Sequence, residues 1–196
     1  VLQRPRLRRL AVERHVLRAG RTLAAEGLVV GSTGNASARL GGGLVITPTR
    51  VRYPRMGHGD LVHLDLEGRR LHGRRAPSTE VPLHLAIYLG RPDVGAIVHT
   101  HSPYATAWSF LDVRLEPETE EIAYFAIGTV RTSTPAPRGT PELAVAAART
   151  LADDAAVLLG GHGVIAVGAT LDDALDVARA VEHQAHVAWL LRTESR

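Results

Sequence analysis

The stretch Val94–Ser102, Val-Gly-Ala-Ile-Val-His-Thr-His-Ser, limits what this chain can fold into more than any other part of it. Its apolar run is bounded by Asp93-Val94-Gly95 on one side and Ser102-Pro103 on the other, which predicts a short buried strand. His99 and His101 close that strand. Side chains alternate faces along a strand, so residues two apart point the same way, with Cα atoms about 6.5–7 Å apart. Two imidazoles at that spacing can converge on one ion, since Zn–N bonds are about 2.0–2.1 Å long. The pattern fits equally a pair of half-buried polar residues at a strand end, and the rest of the chain has to decide.

Two absences narrow the chemistry. Cysteine is missing, so a metal site here must be built from histidine nitrogen and carboxylate oxygen. Lysine is missing too, all 23 basic residues being arginine, so no lysine side chain can form a Schiff base with a carbonyl substrate. Carbanion chemistry on this chain would have to rest on a metal or a cofactor.

The 196 residues, 45% hydrophobic and 22% charged, suit a single domain, 1–196, with one substantial core. No apolar run approaches the roughly 20 residues of a membrane span. The basic start, Val1–Arg9, lacks the apolar core and cleavage site of a secretory signal, so a cytoplasmic location is expected, with no membrane partner. The net charge of +3 is uneven: residues 1–75 hold fifteen arginines against five acids, and 76–196 hold eight against fifteen. That bias favours an anionic substrate or partner. Scattered arginines, 4% aromatic residues and the lack of a recognised motif argue against nucleic acid.

Helical spacing runs over Leu7–Glu26 and stops at Gly27. Gly31-Ser32-Thr33-Gly34-Asn35 then makes a turn, able to offer N–H groups to an anion, ahead of a strand over Ala36–Leu40. A hairpin at Gly41–Gly43 leads into Leu44–Thr47, and Leu61–Leu66 is a further strand. Between them 52–59 reads as loop; His58, His63 and His72 are expected to be solvated or turn histidines. Ser78 is positioned as N-cap of a helix over Val81–Leu89, which puts Glu80 in the first turn, where a carboxylate is favoured. His84 follows four residues on, on the same face, either packed, exposed or a chelating partner of Glu80.

Pro103–Leu111 reads as a helix, 112–121 as an acidic loop, Ile122–Ile127 as an ordered segment carrying Tyr124, and Thr129–Thr132 as a strand. Thr140-Pro141 opens a helix through Leu151. The apolar runs Ala155–Leu159 and Val164–Val167 flank Gly160-Gly161-His162-Gly163, where a histidine between glycines can approach a ligand closely. Thr170-Leu171-Asp172-Asp173 is a capping-box start to a long helix ending near Arg192, with His183 and His186 on its surface.

Glu80, His99, His101 and His162 together supply three imidazoles and a carboxylate, each at an element end, a four-ligand zinc set that needs no sulfur. Their order also carries a resemblance. Gly31-Ser-Thr-Gly-Asn35, Ile46-Thr-Pro-Thr49, Pro77-Ser-Thr-Glu80, Arg91-Pro-Asp93, His99-Thr-His101, Gly139-Thr-Pro-Glu-Leu143 and His162-Gly163 resemble the class II aldolase/adducin family over about Val12–Ala188. The resemblance implies an α/β fold, a three-layer α/β/α sandwich around a largely antiparallel sheet, assembled as a homotetramer with active sites between subunits. It implies Zn²⁺ held by His99, His101 and His162, with Glu80 at the metal and also acting as acid/base. Ser32, Asn35, Thr49, Ser78 and Thr79 fall where relatives hold a substrate phosphate, and Gly34 adds a turn N–H suited to the same anion. Tyr124 falls near a tyrosine that a family enzyme lends from a neighbouring subunit as proton donor.

The implied activity is that of a lyase cleaving a small phosphorylated sugar through a metal-stabilised enediolate. Sugar-acid phosphate decarboxylase, dehydratase and non-catalytic adducin-like module are the alternatives within the family. Two departures touch the pocket. Arg50 stands where phosphate-binding relatives often have glycine, so it either adds an anion contact or fills the space. Gly160-Gly161 precedes His162 as a small change beside a ligand.

Overall fold

The computed structural model describes residues 3–111 and 113–194; Asp112, the first residue of the expected 112–121 loop, lies outside them. Eight strands form one sheet: β1 (Asn35–Leu40), β2 (Gly43–Ile46), β3 (Val62–Asp65), β4 (Arg70–His72), β5 (Ala96–Thr100), β6 (Arg131–Ser133), β7 (Ala156–Leu159) and β8 (Gly163–Gly168). Their order across the sheet is β4-β3-β2-β1-β5-β8-β7-β6. Every pairing is antiparallel except β6 with β7. The largely antiparallel sheet and its helical layers are those the resemblance implies.

The helices are α1 (Gln3–Ala25), α2 (Val81–Gly90), α3 (Pro103–Trp108), α4 (Glu120–Tyr124), α5 (Pro141–Leu151) and α6 (Leu171–Glu194). Strand alternation splits the core in two. Ala36, Ala38, Ala96, Val98, Val164 and Ala166 pack under α1, α3 and α6. Ile97, Val157, Leu159, Ile165 and Val167 point the other way, into the layer of α2 and α5. Burial on both faces explains why β5, β7 and β8 read as unbroken apolar runs. Among the described residues no helix is long and apolar enough to cross a membrane.

Local chemistry sets the element ends. The Thr140 hydroxyl accepts the Leu143 N–H at the start of α5 (3.3 Å). At α6 the capping box is reciprocal: Thr170 N–H donates to Asp173 at 2.9 Å and Asp173 N–H to the Thr170 hydroxyl at 3.2 Å. At α2 the expectation needs correcting. The N-cap residue is Glu80, with no side-chain cap bond. Ser78 instead accepts the Glu80 N–H through its hydroxyl (3.2 Å), a turn one residue ahead of the helix.

The structure adds two elements and changes one further expectation. The edge strand β4 has all three residues exposed and too short an apolar pattern to be seen in the sequence. Tyr124 ends a five-residue helix. His63 is buried on β3, where its Nε2 and the Nδ1 of His58 both meet the Glu13 carboxylate, at 2.8 and 2.9 Å. Arg9 donates to the same group. These histidines find their partner on α1, at a separation that spacing along the chain could not reveal.

Candidate metal centre

His99 is the penultimate residue of β5, and alternation turns it into the α2 layer, where Glu80 begins α2. His101 follows just past the strand, its N–H held by Leu28 O at 3.0 Å. His162 comes from the turn between β7 and β8, closed by His162 N–H to Leu159 O (2.9 Å) with Gly161 at φ +65°. The three ring centroids lie 4.7, 4.8 and 5.0 Å apart. Gly163 makes this approach possible: a Cβ there would sit 2.3 Å from Thr100 O and 3.3 Å from both the His99 and His101 rings.

His99 Nδ1–H donates to Val164 O at 2.9 Å, which leaves its Nε2 with a lone pair, 2.9 Å from His101 Nε2. The Glu80 carboxylate lies 3.8 Å from both His99 Nε2 and His162 Nε2. It is buried, and its Oε2 has no hydrogen-bond partner among the described residues. Orphaned buried polar atoms of this kind need an explanation. Four ligands at about 2.0–2.1 Å in a tetrahedron are about 3.3 Å apart, a distance that the observed separations bracket. The donor set therefore fits a divalent ion, and His99, His101 and His162 form a cluster able to hold one.

The electrostatics agree. Burial, then the neighbouring imidazoles, holds His99 well below the usual histidine range. Burial takes His101 down to about 4 and lowers His162 as well. All three are thus neutral imidazoles near pH 7. Burial pushes Glu80 up to about 7, partly opposed by the charge of Arg138. Arg138 went unnoticed in the sequence; it lies next to Gly139, whose Cβ would clash with Thr79 O at 2.8 Å. That glycine lets the 138–140 turn pack against the Ser78-Thr79-Glu80 segment.

Of the other expected site residues, Asn35 sits directly opposite His99 in the β1–β5 register, so both side chains share one face. Gly34, at φ +66°, is required there because a Cβ would lie 2.5 Å from His99 O. Ser32 is half-buried on the same turn. Thr49 and Ser78 lie on crossing segments joined by Thr49 N–H to Ala76 O (3.1 Å) and Ser78 N–H to Thr47 O (3.2 Å). Thr79 is exposed beside Ser78, and Arg50 is exposed at φ +59°. Tyr124 is not gathered in: it is 81% exposed on α4, and its ring meets Phe125.

The model of the class II aldolase and adducin N-terminal domain matches residues 14–189. The chain belongs to this family. Among class II aldolase relatives, it is 36% identical over 181 residues to the 5-methylthioribulose-1-phosphate/5-deoxyribulose-1-phosphate aldolase of Rhodospirillum rubrum, covering 92% of this chain and 81% of that one. It is 37% identical over 172 residues to the 5-deoxy-D-ribulose 1-phosphate aldolase of Bacillus thuringiensis, covering 87% and 80%. The L-fuculose-1-phosphate aldolase structure from Thermus thermophilus superposes with TM-score 0.85 at 30% identity, covering 94% and 95%.

Proposed function

We propose that this chain, acting as one domain, is a zinc-dependent aldolase that cleaves a small ketose 1-phosphate. The observation that carries the reading is the convergence of three neutral imidazoles on a buried carboxylate whose Oε2 has no partner among the described residues. His99, His101 and His162 would hold the ion, with Glu80 at or beside it; nitrogen and oxygen donors without sulfur suit zinc. When bound, a divalent ion draws electron density from the substrate ketone and stabilises the enediolate left by bond cleavage.

With the ketone at C2, the bond that breaks is C3–C4. A base takes the O4 proton, the O–H electrons become the new C=O of an aldehyde, and the C3–C4 pair stays on C3. Protonation of C3 then gives dihydroxyacetone phosphate. Glu80, raised to about 7, suits proton transfer in both directions near neutrality. Tyr124, exposed on one chain, would serve the leaving-group side from a neighbouring subunit of a homo-oligomer, the tetramer that the resemblance implies. Ser32, Gly34, Asn35, Thr49, Ser78 and Thr79 would hold the phosphate, with Arg50 at its edge.

The relatives named for deoxyribulose and methylthioribulose phosphates support a five-carbon backbone whose C5 carries hydrogen or a thioether rather than a hydroxyl. The test is a screen of ketose 1-phosphates, following dihydroxyacetone phosphate. Activity should vanish with a strong chelator, return with zinc, and survive borohydride, since no lysine is available to trap. Activity that resists the chelator and is lost to borohydride would overturn the mechanism.

A further inference from the structure

His84 has no part in the ion-binding set, yet it is the most deeply enclosed histidine of α2's layer and has a partner on each ring nitrogen. Its Nδ1 lies 2.7 Å from the Ser37 hydroxyl and its Nε2 lies 2.5 Å from Asn35 Oδ1. Ser37 is in turn 2.8 Å from the Tyr88 hydroxyl. Asn35, Ser37, His84 and Tyr88 are each at most 2% exposed, so water does not compete for these bonds.

The direction of each bond follows from the far end. Among the described residues the Tyr88 hydroxyl has one partner, Ser37, so its hydrogen goes there. The Ser37 hydrogen is then left for His84 Nδ1, which must accept. An imidazole whose Nδ1 accepts carries its single hydrogen on Nε2. Nε2–H donates to Asn35, which must turn its oxygen toward the ring. The Asn35 amide nitrogen is thereby turned away. It makes no hydrogen bond to a described residue, and Asn35 stands directly across from His99.

An asparagine amide is symmetric in shape and can present either atom; only its hydrogen-bond partners choose. Facing the oxygen of a phosphate, the nitrogen attracts and the amide oxygen repels. We propose that His84 is a positioning residue: the one-way chain Tyr88–Ser37–His84 locks the Asn35 amide with its N–H groups toward the substrate anion. This rests on the reading above that Asn35 belongs to the anion site.

The test uses inorganic phosphate as the probe, with binding to the metal-loaded protein followed by ³¹P NMR. Asn35→Ala and His84→Leu should each weaken phosphate by about tenfold, the loss of one charge-assisted hydrogen bond, and the double variant should be no weaker than either. His84→Gln, whose amide N–H can replace the Nε2 donor, should recover most of the loss. In turnover the variants should raise KM more than they lower kcat. The ¹⁵N spectrum of the native protein should show His84 protonated on Nε2.

An Nδ1-protonated His84 overturns the proposal. So does a folded His84→Leu protein that binds phosphate normally while Asn35→Ala does not, and in that case the anion site stands. If Asn35→Ala itself binds phosphate normally, the anion-site reading has failed and the inference falls with it. Should His84→Leu not fold, Ser37→Ala, which removes the donor to Nδ1 and the acceptor of the Tyr88 hydroxyl while leaving the His84 ring in place, must weaken phosphate; an unchanged affinity refutes the locking chain.

Discussion

His99 and His101 aim their Nε2 atoms at each other across 2.9 Å. The His99 nitrogen carries no hydrogen, because its other ring nitrogen donates to Val164 O. A cation between the two turns that close approach into a pair of ligand bonds. Protein carrying His99→Ala should therefore lose its bound metal stoichiometrically, by elemental analysis, and melt at the temperature of chelator-treated native protein. Retention of a full equivalent of metal would remove His99 from the ligand set.

Acid should loosen the fold, and His84 gives the sign. Burial depresses its folded-state pKa to about 3, against about 6.5 unfolded. Between those values the unfolded chain binds a proton that the folded chain refuses, so the stability present above pH 6.5 is lost as pH falls toward 3. The slope from this one group is about 1.4 kcal/mol per pH unit. Urea unfolding in chelator should show native protein losing about 2 kcal/mol more between pH 7 and 5 than His84→Gln does. Equal losses would mean the ring is not held neutral.

The exposed hydroxyl of Tyr124 makes a prediction about assembly. If a neighbouring subunit receives it as proton donor, Tyr124→Phe should lower kcat by about 10²-fold with little change in KM. Diluting the native protein below its association range should lower activity to a similar level. A Tyr124→Phe enzyme with native turnover would end that role.

Arg50 occupies a left-handed backbone conformation, φ +59°, that costs a side-chain-bearing residue about 1–2 kcal/mol. Arg50→Gly should leave stability unchanged or raise it by up to about 1 kcal/mol, glycine's unfolded-state entropy offsetting part of the relief. Phosphate binding should weaken several-fold as the guanidinium is lost. Tighter binding in the variant would show that Arg50 had been filling the pocket.

The strand that carries His99 and leads into His101 was readable because burial on both faces leaves an unbroken apolar run, and because glycines and prolines punctuate the chain so clearly. The caps at Thr140 and Thr170 were readable for a similar reason: capping is local. What escaped was long-range. His63 and His58 meet Glu13 about fifty and forty-five residues away. His84 reaches back to Asn35 and Ser37 on β1. Arg138 acts on Glu80 only because Gly139 lets two turns touch. Nothing in the spacing of such residues along the chain marks them as partners. β4 escaped for the opposite reason, being too short and too polar to leave a pattern.

The place of β5 in the sheet has a consequence for how the protein comes into being. Its neighbour β1 belongs to the block built from residues 35–72, and its other neighbour β8 to the block built from 131–168. Glu80 arrives with the helix ahead of that central strand and His162 only with the second block, so the candidate ion-binding set is complete only after the second block has zipped onto it. A ribosome still short of residue 162 has made a nascent chain that can pair β1 with β5 but cannot close the cage. An ion held by this set would be captured only after β8 has joined β5, and spectroscopy of a cobalt-substituted site would time that event in a refolding experiment.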